Sequence, residues 1–168
     1  DRRAALYAAS RVWAALAAAH SARDPVTREF APVIHREVSA ERVLVPWDAF
    51  PRLVDFTGAM VAGLAEPGRP SDHRVRRAPS APEERLGDEI TVRTDVYLAS
   101  LLTRDLAWAG ASPPLMRALE RGLRKDPDAR DLSASEMLVV LRDEMAEEHR
   151  GVDHVRRVGH VGTTPKIG

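Results

Sequence analysis

The chain has 168 residues, 44% hydrophobic and 30% charged, enough for one domain with a real core or for part of a larger one. Lys+Arg and Asp+Glu are each 25, so no net charge draws the chain to nucleic acid or an anionic membrane. Cysteine is absent, which excludes disulfides and thiolate metal sites.

In chain order, the first expected element is a helix from Ala4 to Ala22. It has no Gly or Pro, many alanines, and Leu6, Val12, Trp13, Leu16 and Ala17 on one face. Arg3, Arg11 and His20 interrupt its apolar run, so it is no membrane span and no secretory signal. Asp24 to Pro32 is a loop, broken by Asp24-Pro25 and Pro32. Val43-Leu44-Val45 and Arg52-Leu53-Val54 flank Pro46-Trp47-Asp48-Ala49-Phe50-Pro51, the pattern of two short strands joined by a turn. Glu37 precedes this hairpin and Asp55 follows it, so the spacing predicts two acidic groups close together at its open end. Gly58 to Ser80 is rich in Gly, Pro, Arg and Ala and is expected to be a loop. Thr94 is the expected N-cap of the next helix, which buries Tyr97, Leu98, Leu101 and Leu102. A further helix runs from Leu115 to Leu123, after Pro113-Pro114 and before the Asp126-Pro127 break. Ser133 or Ser135 opens a last helix to about Glu148, and Ser133 has capping-box spacing with Glu136. From Gly151 the chain is polar and Gly-rich.

Several of these segments resemble the protein kinase family. Kinases carry H-R-D-x-x-x-x-N, a strand, a turn, a strand and D-F-G; here the positions read His35-Arg36-Glu37, Arg42 and Asp55-Phe56-Thr57. The preceding helix ends in Ala18-Ala19-His20, as in kinases. The run from Arg23 to Val45 is similar to bacterial, myxobacterial-type Ser/Thr kinases. Ala81-Pro82-Glu83 stands where A-P-E ends an activation segment, followed by a Gly87…Thr94-Asp95-Val96-Tyr97 stretch of kinase type. Leu119 to Leu141 matches the closing kinase pattern almost position for position. The resemblance covers roughly residues 4 to 146 and only the C-terminal lobe. An arginine bias, with lysine only at Lys125 and Lys166, fits a high-GC bacterial genome.

The resemblance implies roles residue by residue. His35, Phe56 and Asp95 would pack together beneath the metal loop. Arg36 would pair with a phosphorylated activation loop, which here offers only Thr57, Ser71 and Ser80. Glu37 takes the catalytic Asp position, implying a weak catalytic base at best, because its extra methylene displaces the carboxylate in a geometry that tolerates little displacement. Arg42 takes the position of the Asn that binds the second Mg²⁺; a guanidinium has no lone pair to donate. It either pairs with Asp55 or Glu37 in place of the cation or is a solvated surface Arg. Asp55 is left as a single Mg²⁺ ligand, and Thr57 replaces the glycine after Phe56. Ser39 replaces the catalytic-loop Lys. Glu83 and Arg130 would form a buried structural ion pair.

The chain contains no G-x-G-x-x-G loop, no strand Lys for ATP phosphates and no helix Glu to pair with it. The substrate-binding G-T-x-x-Y element reads Val75 to Ser80, and a helix between Tyr97 and Pro113 is missing. His149, His154 and His160 lack the spacing of a helical metal site, and Arg74, Arg76 and Arg77 read as a solvated basic cluster. The expectation is a mainly α, kinase C-lobe-like domain over 1–148, with a short hairpin at the catalytic edge, no N-lobe and a polar tail over 149–168. Its expected function is that of a cytoplasmic pseudokinase-type scaffold, without a cofactor, bound to a protein partner: a kinase or a second copy, hence a homo-oligomer. The alternative is part of a Ser/Thr kinase that uses ATP and Mg²⁺, with an N-lobe outside this chain. The chain begins at Asp1 rather than Met, as a fragment would.

Overall fold

The computed structural model describes residues 1–64 and 79–159, with side chains through Glu148. Helix α1 spans Arg2–His20, opened by the Asp1 carboxylate, which accepts from the Arg3 amide at 3.0 Å. Its inner face, Leu6, Ala9, Val12, Trp13 and Leu16, is buried. Two further long helices pack on that face: α3 (Val92–Ala107) and α5 (Ala134–Gly159). Leu98, Leu102, Leu119, Met137 and Leu141 complete the core with Leu115 of α4 (Pro113–Gly122). Each such large apolar side chain contributes about 1.5–3 kcal/mol when fully buried. The polar end of Trp13 is satisfied inside this core, donating to the Thr103 hydroxyl at 2.8 Å.

The mainly α class is as the sequence predicts. The strands are short and pair antiparallel: β1 (Val33–Ile34) with β4 (Met60–Val61), and β2 (Val43–Leu44) with β3 (Arg52–Leu53). The β2–β3 pair is the predicted hairpin, in the register Val43↔Leu53. Strand β4 lies in a stretch expected to be loop. It is two residues long, too short for any alternation to show, and forms because Val33 and Ile34 offer it an edge.

Helix α2 (Pro82–Leu86) ends at Gly87, whose φ of 78° is open to glycine at little cost. The N-cap of α3 is Thr91, not Thr94: the Thr91 hydroxyl accepts from the Arg93 amide at 3.2 Å. Thr94 is the third helical residue, and its hydroxyl donates instead to Glu83 at 2.9 Å. The buried side of α3 is wider than the expected face, adding Thr94, Asp95, Val96, Ala99, Ser100 and Thr103, while Tyr97 and Leu101 are half-buried. Pro113 and Pro114 occupy the first turn of α4, where a missing N–H costs nothing. Ser133 and Glu136 form the reciprocal box at the start of α5, with bonds of 2.8 and 3.1 Å. That helix continues to Gly159, past the Glu148 end suggested by the sequence.

The Arg74, Arg76 and Arg77 cluster, Ser71 and most of the Val75 to Ser80 segment lie outside the described residues. So do the side chains of His149, His154, His160 and Lys166.

Candidate functional site

The site is built where β1 leaves the core and the β2–β3 hairpin returns. Asp95 organises it. Its carboxylate is fully buried; Oδ2 accepts from the His35 amide and Oδ1 from the Arg36 amide, each at 2.7 Å. His20 Nε2 lies 3.0 Å from the same Oδ2, so the end of α1 meets α3 on this carboxylate. The two amide bonds hold Arg36 at a φ of 71°, a left-handed conformation unfavourable for a side chain of that size.

His35 is fully buried as well. Its Nε2 faces the Val54 carbonyl at 3.1 Å, and its Nδ1 accepts from the Glu37 amide at 3.3 Å. A carbonyl only accepts, so this pairing assigns the proton to Nε2. The Phe56 ring packs edge-on against the imidazole, centroids 4.5 Å apart. The structure therefore gathers His35, Phe56 and Asp95 into one cluster beneath the hairpin.

Glu37, Arg42 and Asp55 form a second cluster above it. Arg42 closes the short 3-10 turn Ala40–Arg42, with its guanidinium between the two carboxylates. Nη2 donates to Glu37 Oε2 at 2.9 Å, and Nη1 pairs with Asp55 Oδ2. Asp55 is left-handed too, with φ 66° and ψ 67°, and caps the 3-10 turn Phe56–Gly58. Its other oxygen, Oδ1, accepts from the Thr57 hydroxyl. That bond, followed by the Thr57 amide and the nearby Arg42 charge, outweighs burial and holds the Asp55 carboxyl below the usual carboxylate range.

A third cluster lies deeper. Glu83 and Arg130 pair through two parallel bonds and are both buried. Arg130 also donates to the carbonyls of Arg93, Arg124 and Lys125, and lies over the Tyr97 ring at 4.7 Å. Ser39 is buried before the Ala40–Arg42 turn, and the Arg36 side chain lines a cavity with Met60, Glu89 and Thr91.

Sequence reasoning passed over Thr57 and His20 as partners in this site. A hydroxyl two residues after an Asp at a turn is a recognisable signal for the first. His20 closes the Ala-Ala-His run, but its meeting with Asp95 spans the fold.

Of the residues that the resemblance to kinases would assign to a Mg²⁺ centre, Arg42 offers a guanidinium, which has no lone pair for a metal, and Asp55 accepts a hydrogen bond on each oxygen. Among the described residues, no three His, Asp or Glu side chains are gathered as metal ligands are.

No family model matches the chain. It is similar to the serine/threonine-protein kinase PknD of Mycobacterium tuberculosis, in strains CDC 1551 / Oshkosh and ATCC 25618 / H37Rv. The identity is 29% over 160 residues, covering 74% of this chain and 24% of the kinase. This similarity supports a kinase-related origin. The chain spans about a quarter of the length of these relatives. Among the described residues, no helix is long and apolar enough to cross a membrane.

Proposed function

We propose that the chain is a cytoplasmic pseudokinase-type module, corresponding to a kinase C-terminal lobe, that binds a protein partner and transfers no phosphate. The observation that carries this is the Arg42 guanidinium bridging Glu37 and Asp55. Phosphoryl transfer works by positioning and by neutralising charge with metal ions. A fixed cation without lone pairs, in the place of a metal ligand, removes that neutralisation. Leu44, Val45 and Trp47 stand exposed along the hairpin, apolar surface of the kind that a protein partner covers. The partner is a kinase or a second copy of the chain, and neither nucleic acid nor membrane has a part. Calorimetric titration with ATP, with and without Mg²⁺, is expected to show no Mg²⁺-dependent binding. Micromolar Mg·ATP binding with phosphate transfer abolished by Glu37→Ala overturns the proposal.

A second reading keeps the activity: this chain as part of a longer Ser/Thr kinase, with Glu37 as a poor base and Asp55 holding one Mg²⁺. The similarity to a named kinase over most of the chain favours it. The same titration separates the two.

A further inference from the structure

Gly58 ends the Phe56–Gly58 turn without a backbone need for glycine: among the described residues, the glycines at positive φ are Gly63, Gly87 and Gly110. Space explains it instead. A Cβ at 58 would lie 3.2 Å from Glu37 Oε1, 3.4 Å from its Cδ and 3.6 Å from its Cγ, the three nearest atoms beyond its chain neighbours. The far end of Glu37 thus lies along the bare backbone of Gly58. The other carboxylate oxygen, Oε2, accepts from Arg42 Nη2 at 2.9 Å. We infer that Gly58 is a positioning residue, which leaves the room that the Glu37 carboxylate needs to meet Arg42. This rests on the reading of Arg42 as the cation between Glu37 and Asp55, and deepens it by naming what lets a glutamate fit there.

Glutamate is one methylene longer than aspartate, so its carboxylate reaches further from the backbone at 37. The turn after Asp55 brings residue 58 to that place. A carbon–oxygen contact of 3.2 Å is closer than ordinary van der Waals contact, so with a methyl at 58 the carboxylate must give by a few tenths of an ångström. One oxygen pressed aside turns the plane of the group, and the bond from Arg42 to Oε2 loses its direction; such bonds weaken steeply with misalignment. Valine adds two further methyls and moves the carboxylate more. Arg42 keeps Asp55 through Nη1, so the effect falls on the Glu37 arm of the bridge.

The test reads Arg42 directly, by ¹³C-detected NMR of its Nη1 and Nη2 in the folded chain. Two separate Nη frequencies mark a guanidinium held at both nitrogens, and they draw together when one is released. The wild type is expected to keep them apart, and Glu37→Ala, which removes one arm, to draw them together. Gly58→Val should give the Glu37→Ala spectrum, and Gly58→Ala an intermediate one. In a Glu37→Asp background the carboxylate is drawn back by one methylene; there Gly58→Val should lower Tm by no more than about half as much as in the wild type. A folded Gly58→Val with the wild-type spectrum overturns the role of Gly58 and leaves the Arg42 bridge standing. An equal fall in Tm in the two backgrounds does the same. A Glu37→Ala spectrum equal to that of the wild type overturns the bridge itself. If Gly58→Val does not fold by circular dichroism, Gly58→Ala takes its place, and a wild-type spectrum from it overturns the role of Gly58 equally.

Discussion

Glu83 and Arg130 meet side by side, with Oε1 2.5 Å from Nη1 and Oε2 2.7 Å from Nη2, and solvent reaches neither side chain. They tie α2 to the loop ahead of α5, which are far apart in sequence. Breaking a buried pair by removing one member leaves the other charge stranded, at about 3–5 kcal/mol. Arg130→Met is therefore expected to lower the melting temperature by on the order of 10 °C in a domain of this size. Glu83→Gln should cost less, because Arg130 keeps its bonds to the carbonyls of Arg93, Arg124 and Lys125. Thermal denaturation of the two variants ranks them, and the reverse order contradicts the account.

The same pair predicts a pH dependence. Burial opposes the charge on Glu83, but the bonds from Arg130, its own backbone and Thr94 outweigh it and hold the carboxyl below its ordinary value. The folded pKa thus lies below the unfolded one, about 4.3 for a free glutamate. Its contribution is present in full above that unfolded value and is lost as pH falls through the folded one. Denaturant midpoints measured downward from pH 6 should fall more steeply for the wild type than for Glu83→Gln below about pH 4.3.

Asp95 serves two backbone donors at once, the amides of His35 and Arg36. Asp95→Ala leaves both unpaired, at about 1–3 kcal/mol each. Asp95→Asn should be milder, since its carbonyl oxygen still accepts from one of them. Hydrogen exchange is the sensitive readout: both amides are expected to lose protection in the alanine variant and at least one to keep it in the asparagine variant.

Gly122 faces Ser100 across the α3–α4 contact. A Cβ at 122 would sit 2.0 Å from the Ser100 hydroxyl oxygen and 3.0 Å from its Cβ. Gly122→Ala is therefore expected to destabilise by about 1–3 kcal/mol, despite the better helix propensity of alanine. The Ser100 hydroxyl is buried without a hydrogen-bond partner, so Ser100→Ala should be neutral or stabilising. In a double-mutant cycle the Gly122→Ala penalty should shrink in the Ser100→Ala background; simple additivity of the two changes would refute the contact.

Much of the fold is legible in the residues. Apolar spacing places α1, α4 and the start of α5 within a few positions, because a helix repeats its buried face often enough for the pattern to show. The hairpin is legible from β-branched runs around a Pro-Trp-Asp turn. Strand β4 is not: its partner Val33-Ile34 lies far back in the chain, and no turn joins the two as one joins β2 to β3. The cap of α3 shows a subtler limit. Thr91 and Thr94 are chemically equal candidates; in the fold Thr91 caps the helix, while the Thr94 hydroxyl donates to Glu83 of the preceding helix.

The site divides in the same way. Residue identities alone determine that position 42 carries a guanidinium, with no lone pair for a metal, and that carboxylates stand before and after the hairpin. They leave open whether Arg42 is solvated or paired. Tertiary structure decides it: pairing of β2 with β3 brings residues 37, 42 and 55 to one end, and the left-handed turn at Asp55 accompanies its engagement with both Arg42 and Thr57. Hydrogen bonds and ion pairs depend on distance and direction, and the chain acquires those only when its distant segments pack.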